Sequence, residues 1–228
     1  MTVAGRGGVP ARSLRLRPVP RITHLETDDR RGVLVHLDGA PFRHLPRSLV
    51  LARTLSPGDE LTAAEVEALA AEADRVEALD AALRYLSWRP RSRTELARHL
   101  RDRGHPGPAA EAALRRCEEL GYVNDRAFAL AFVRDRIRLR PRGRARLRAE
   151  LSARGVDASD AEAAIDEALA ETETSEGELL RRVAERRARS LASLDREAAR
   201  RRLAAYLLRR GFGGSEVRAA VDEILPAD

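Results

Sequence analysis

The sequence predicts a mainly α protein: three tandem three-helix repeats in an elongated array, preceded by a small N-terminal segment containing a β-hairpin. Three observations carry that prediction. Aromatic residues make up 4% of the chain and hydrophobic residues 43%. Its core must therefore be built largely from Ala, Leu and Val, which suits packed helices better than a β-sandwich. Beyond residue 61 nothing alternates, and apolar residues recur at helical spacing. Finally, "WRPRSRTELARHLRDRG" at 88–104 returns as "LRPRGRARLRAELSARG" at 139–155, and a third copy follows.

The three copies align on Leu96, Leu147 and Leu203, at spacings of 51 and 56 residues. Each is followed at fixed intervals by a leucine (Leu100, Leu151, Leu207), an arginine (Arg103, Arg154, Arg210) and a glycine (Gly104, Gly155, Gly211). Ten residues past each glycine stands an apolar residue preceded by alanine: Leu114, Ile165 and Val221. Repetition at this period marks stacked helical units. The leucine pair makes an apolar stripe, and the glycine supplies a left-handed residue that closes the helix.

Along the chain, residues 1–20 read as a disordered basic tail. Residues 21–74 form the β-containing segment: Val33, Val35 and Leu37 alternate, "LDGA" supplies an Asp-Gly turn, and Phe42 starts the return strand. A short helix at "PRSLVLARTL" follows, and Thr62 with Glu65 forms a capping box that opens a long helix. The repeats occupy 75–124, 125–174 and 175–228, with first helices near 75–88, 125–139 and 176–190. Ser92–Glu95 and Ser159–Glu162 read as capping boxes, and Asn124 or Asp125 as a further cap. Neighbouring repeats are expected to share buried faces.

No constellation for catalysis, metal or cofactor stands out. The five histidines lack metal-type spacing, no phosphate-binding Gly-rich loop with lysine occurs, and "GFGG" at 211–214 follows no strand. The expectation is a protein that is not an enzyme and carries no cofactor. The lone Cys117 reads as a small core residue in a reducing, cytoplasmic setting, and no apolar run reaches membrane-spanning length.

Charge is the informative feature. The chain carries +6 overall, and all 42 basic residues are arginine. Residues 84–154 have a net charge of +11, residues 155–180 of −9, and residues 181–210 of +8. Arginine fills every even position from 134 to 148. Two readings stay open: a polyanionic partner, or pairing of these arginines with the acidic block.

The ordered blocks "YLSWRPRSRTELARHLRDRG", "EELGYVNDRAFALAFVRDR" and "RPRGRARLRAELSARGV" resemble those of the RecX family, bacterial regulators of RecA recombinase. The likeness runs from about residue 20 to the end. It implies tandem three-helix repeats, binding within the groove of the RecA–single-stranded DNA filament, and damping of ATP hydrolysis and strand exchange. It also implies partner-facing roles for Arg89, Arg91 and Arg93 and for Arg140, Arg142 and Arg144. Arg146 and Arg148 join them from the arginine run. In the "GYVNDRAFALAFV" block, Tyr122, Phe128 and Phe132 are expected to fill core, with a partner contact as the alternative for Tyr122. The expected partners are the RecA filament and single-stranded DNA, directly or through the filament, with no membrane and a monomeric chain. The alternatives are a stand-alone DNA-binding protein with helix-turn-helix-like units, and a helical scaffold for another acidic protein. The third repeat departs from the pattern, having "LASLDRE" where the others have RPRS or RPRG.

Overall fold

The computed structural model describes residues 19–226, so all but the end of the basic tail expected over 1–20 lies outside the described residues. The chain divides into two compact bodies, one ending at Val76 and the other starting at Glu77.

The first body holds an antiparallel sheet, β1 (Ile22–Asp28), β2 (Gly32–Leu37) and β3 (Ala40–Leu45), in the order β1-β2-β3. Asp38 and Gly39 both take positive φ, 51° and 83°, the two-residue turn whose twist matches a hairpin. β1 adds a strand to the expected hairpin. Ile22, Val33, Val35 and Leu45 are buried on one face. They pack with Leu49 and Val50 of α1 (Arg47–Ala52) and with Leu69 and Ala73 of α2 (Ala63–Leu86). Thr62 and Glu65 make the expected reciprocal cap at the start of α2, the Thr62 N–H donating to Glu65 Oε2 at 2.7 Å.

The second body holds three helix triads. The end of α2 packs with α3 (Arg93–Asp102) and α4 (Gly107–Glu119) around Leu96, Leu100, Leu114 and Cys117, which is buried as expected. The second triad is α5 (Asp125–Leu139), α6 (Arg144–Ser152) and α7 (Ala158–Glu171); the third is α8 (Glu176–Arg189), α9 (Arg196–Arg209) and α10 (Gly214–Ile224). Repeats two and three share one continuous core, whereas the first has its own. The expected shared burial therefore holds for one neighbour pair.

The pairs are joined by a device built on the repeated glycine. Gly104, Gly155 and Gly211 all have positive φ, at 79°, 76° and 85°. At Gly155 and Gly211 the preceding repeat's middle helix comes so close that a Cβ would fall under 3.0 Å from Thr94 and Arg146 respectively; at Gly104 the space is open. The carbonyl just before each covered glycine is also used. Ser92 Oγ donates to the Arg154 carbonyl at 2.5 Å, and the Gly143 N–H donates to the Arg210 carbonyl at 2.9 Å. The RPRS/RPRG difference is thus physical: Ser92 reaches across with its side chain, while Gly143 has no room for one, its Cβ meeting the Gly211 backbone. The next repeat in turn caps the middle helix, Asp125 Oδ1 accepting from the Arg93 N–H (2.7 Å) and Glu176 Oε1 from the Arg144 N–H (2.8 Å).

The third repeat departs from this arrangement. Asp195 caps α9 conventionally, accepting from the Ala198 N–H at 2.8 Å, and α9 starts one turn earlier than its counterparts relative to the aligned leucine. That turn supplies four of the five extra residues in the longer spacing. Two local expectations are corrected. Ser159 is not a cap: Asp157 holds the N-cap position of α7 without a side-chain hydrogen bond, and Glu162 is drawn to arginines of α6. A true capping box stands instead at Ser175–Glu178. Tyr122 is 57% exposed rather than core, although Phe128 is buried.

Candidate polyanion interface

The arginine run from 134 to 148 folds onto α5, the 140–143 turn and α6, where most of it finds carboxylates. Arg134 pairs with Glu171 and Arg138 with Asp135. Arg144 reaches Glu162 (2.6 Å) and Asp166 (2.7 Å), and Arg148 reaches Glu162 (2.6 Å). Arg93, three residues before its aligned leucine as Arg144 is before its own, holds Glu111 (2.7 Å) and Glu118 (2.8 Å) of α4. Arg200 repeats the arrangement with Asp222. The arginine at this register therefore clamps the middle helix of each repeat to its third helix. The acidic 155–180 block neutralises Arg126, Arg134, Arg144 and Arg148.

Glu150 anchors a second cluster. It accepts from Arg136 Nε at 2.9 Å and Arg146 Nε at 3.0 Å, with Arg142 Nε 3.9 Å away, and its side chain is 14% exposed. Burial works to raise the Glu150 carboxyl, but the hydrogen bonds from Arg136 and Arg146 outweigh it and hold the group below the usual carboxylate range. A depressed carboxyl contributes stability that is present above its unfolded value and lost as pH falls through the folded one. Glu150→Gln is accordingly expected to cost about 1–2 kcal/mol near neutrality and to flatten the fall in melting temperature below about pH 4. Parallel pH curves for the variant and the parent would refute this account.

Among the arginines left without a carboxylate, three share one space. The side chains of Arg140, in the turn after α5, and of Arg182 and Arg186, on successive turns of α8, make no hydrogen bond or ion pair with any described residue. They line a cavity of about 290 Å³ with Leu139, Pro141, Arg187, Tyr206 and Arg210, and no acid reaches it. Arg182, Arg186 and Pro141 also border a cavity of about 850 Å³, whose two acids, Asp135 and Glu171, are already paired. Ring contacts and a hydrogen bond tie the walls together. The Arg210 guanidinium lies 4.7 Å from the Tyr206 ring centroid and donates to the Pro141 carbonyl at 2.8 Å, and Arg187 lies 5.0 Å from the same ring. Arg142 and Arg187 each keep a buried Nε–H without an acceptor. Guanidinium groups gathered without counter-charge repel one another, and a bidentate oxyanion relieves that repulsion.

The eight arginines singled out in the sequence thus separate. Arg93, Arg144, Arg146 and Arg148 are engaged within the body. Arg140 stands free in the cleft, Arg142 follows it in the turn but faces Glu150 at 3.9 Å, and Arg89 and Arg91 occupy the matching turn of the first repeat. Arg91 stacks 4.2 Å over Tyr85, which itself stacks on His99 at 3.8 Å. Sequence reasoning missed Arg182 and Arg186. Their signal was present in the +8 stretch, at a four-residue spacing that puts both on one helix face.

Fold and charge together define a class: a tandem three-helix repeat protein with a guanidinium-lined cleft where its second and third repeats meet. Comparison with known proteins gives that class a family. Residues 78–117, 124–165 and 175–221 match, in order, the first, second and third three-helix domains of RecX. The chain belongs to the RecX family. It is 43% identical over 131 residues to Regulatory protein RecX of Streptomyces coelicolor, a match spanning 57% of this chain and 68% of that one. It is 25% identical over 208 residues to the protein of the same name from Limosilactobacillus reuteri, spanning 90% and 77%. A crystal structure of regulatory protein RecX superposes with a TM-score of 0.66 at 24% identity, covering 90% of this chain and all of that one. RecX from Lactobacillus salivarius gives 0.56 at 23% identity over 66% and 96%. These relatives are named regulatory proteins, and the structural likeness is one of fold.

Proposed function

We propose that the protein is a non-enzymatic regulator that binds the RecA–single-stranded DNA filament and damps its ATPase and strand exchange in recombination and DNA repair. Its setting on this reading is the cytoplasm. The observation that carries the proposal is the cleft itself: three unpaired arginines on two repeats, aimed at one space with no acid. A filament of recombinase and DNA supplies the polyanion such a cleft lacks, and membership of the RecX family supports the choice of partner. Of the eight arginines, Arg89, Arg91, Arg140 and Arg142 are the proposed contacts, joined by Arg182 and Arg186. Arg93, Arg144, Arg146 and Arg148 support the body that presents them.

The test is the single-stranded-DNA-dependent ATPase of RecA titrated with this protein, with binding to the naked strand measured at matched salt. Inhibition at amounts below the recombinase concentration, and far below those that coat free strand, is expected. Inhibition only when the strand is saturated would overturn the filament reading in favour of a stand-alone DNA-binding protein.

A further inference from the structure

The cleft uses charge alone, but the matching turn of the first repeat offers something different. Trp88, the only tryptophan in the chain, is 86% exposed there. It stands eight residues before Leu96, as Leu139 stands eight before Leu147, and Leu139 lines the arginine cleft. The two turns continue alike, Arg89-Pro90-Arg91 and Arg140-Pro141-Arg142. Trp88 therefore holds, at the first turn, the position that borders the arginine-lined space at the second.

Its surroundings fix its chemistry. Pro90 stiffens the turn, and Ser92 ties the turn's end to the second repeat through the Arg154 carbonyl. Arg91 is held against the Tyr85–His99 stack. Burial, followed by the charges of Arg103 and Arg91, lowers the His99 pKa. Arg89 remains half-exposed, 3.7 Å from Glu95. An indole presented on a proline-stiffened turn next to Arg89 suits a ligand that carries a π-face and an anion several bonds apart. A nucleotide has both. The bases of a duplex are already stacked on one another, so only an unpaired base can lie on the indole.

We propose that Trp88 is a stacking platform for one unpaired base of a nucleic-acid strand, with Arg89 taking the adjoining phosphate. This deepens the proposed function and rests on its premise that the partner carries single-stranded nucleic acid. It assigns single-strand selectivity to the first repeat and sequence-blind phosphate affinity to the cleft.

Because Trp88 is the sole tryptophan, indole emission excited selectively, at wavelengths too long for the three tyrosines, reports this site alone. Titration with oligo(dT), with a blunt duplex of equal length and with polyphosphate is to be followed together with the anisotropy of a labelled competitor, so that emission is compared at equal occupancy. Quenching by oligo(dT), with no change for duplex or polyphosphate, is the expected result. Trp88→Ala should weaken oligo(dT) binding about 5- to 100-fold and leave polyphosphate binding unaltered, while Trp88→Phe keeps most of the affinity. Equal quenching by polyphosphate, or undiminished oligo(dT) binding by Trp88→Ala, would overturn the proposal. The two readings fail separately. Quenching without inhibition of the recombinase ATPase removes the filament and keeps the stacking site, whereas inhibition without quenching does the reverse.

Discussion

Gly211→Ala is expected to be the most damaging single methyl group that can be added to the helical body, and Gly104→Ala a mild one. Both residues close a middle helix with left-handed φ, 85° and 79°. An L-residue there costs about 1–2 kcal/mol, and that is the whole expected cost at Gly104, where the space is open. At Gly211 the new Cβ would press on the backbone N and Cα of Arg146 and on its Cβ, and none of these is the yielding end of a side chain. Forced overpacking adds about 1–3 kcal/mol, and the contact lies between the repeats that share one core. A total of about 2–5 kcal/mol follows. Chemical denaturation of the two variants side by side measures the difference. Equal losses would mean that the glycine is kept for its φ alone and that close approach between repeats is incidental.

The second large effect concerns binding. Replacing Arg140, Arg182 and Arg186 together with Gln is expected to lower affinity for the filament, and for a single strand, by at least about 100-fold at moderate salt, since a hydrogen bond to a charged group contributes about 1.5–3 kcal/mol. The dependence of log K on log salt should become shallower by about 2, at roughly 0.7 per phosphate on a single strand. Folding should not suffer, because these side chains have no partners to lose; relief of mutual repulsion should leave the melting temperature equal or higher. Arg93→Gln with Arg144→Gln should behave oppositely, losing stability first, because each holds two or more carboxylates. A triple variant that binds normally, with an unchanged salt slope, would dismiss the cleft as the contact surface.

Much of the fold was legible because it rests on local rules that the chain repeats. The leucine stripe, the left-handed glycine and the Ser92–Glu95 cap each depend on residues within one or two turns, and each appears where the spacing put it. β1 was not legible: its exposed positions carry His24 and Glu26 around few buried side chains, so alternation is faint and the strand exists through its pairing with β2. Ser159–Glu162 matched the capping pattern, yet Glu162 is held by Arg144 and Arg148, a non-local competition that no window of sequence displays. The site was legible only in outline. Alternating arginines announced uncompensated charge, but which ones remain free depends on carboxylates up to 37 residues away, as for Arg134 and Glu171. Arg182 and Arg186 were overlooked because they stand outside the repeated turn.

The uncovered glycine at one end and the Asp195 cap at the other give the array a direction of growth. Gly104 is an empty socket, with the left-handed turn its counterparts use to receive a preceding helix entry. The third repeat carries no plug: its middle helix begins a turn early with an aspartate that satisfies its own backbone. Duplication of a repeat in this lineage could therefore extend the series ahead of the first copy by supplying a Ser- or Gly-led helix entry. Extension past the last copy would first require trimming α9 by a turn. A designer wishing to lengthen the array should therefore splice at its leading edge.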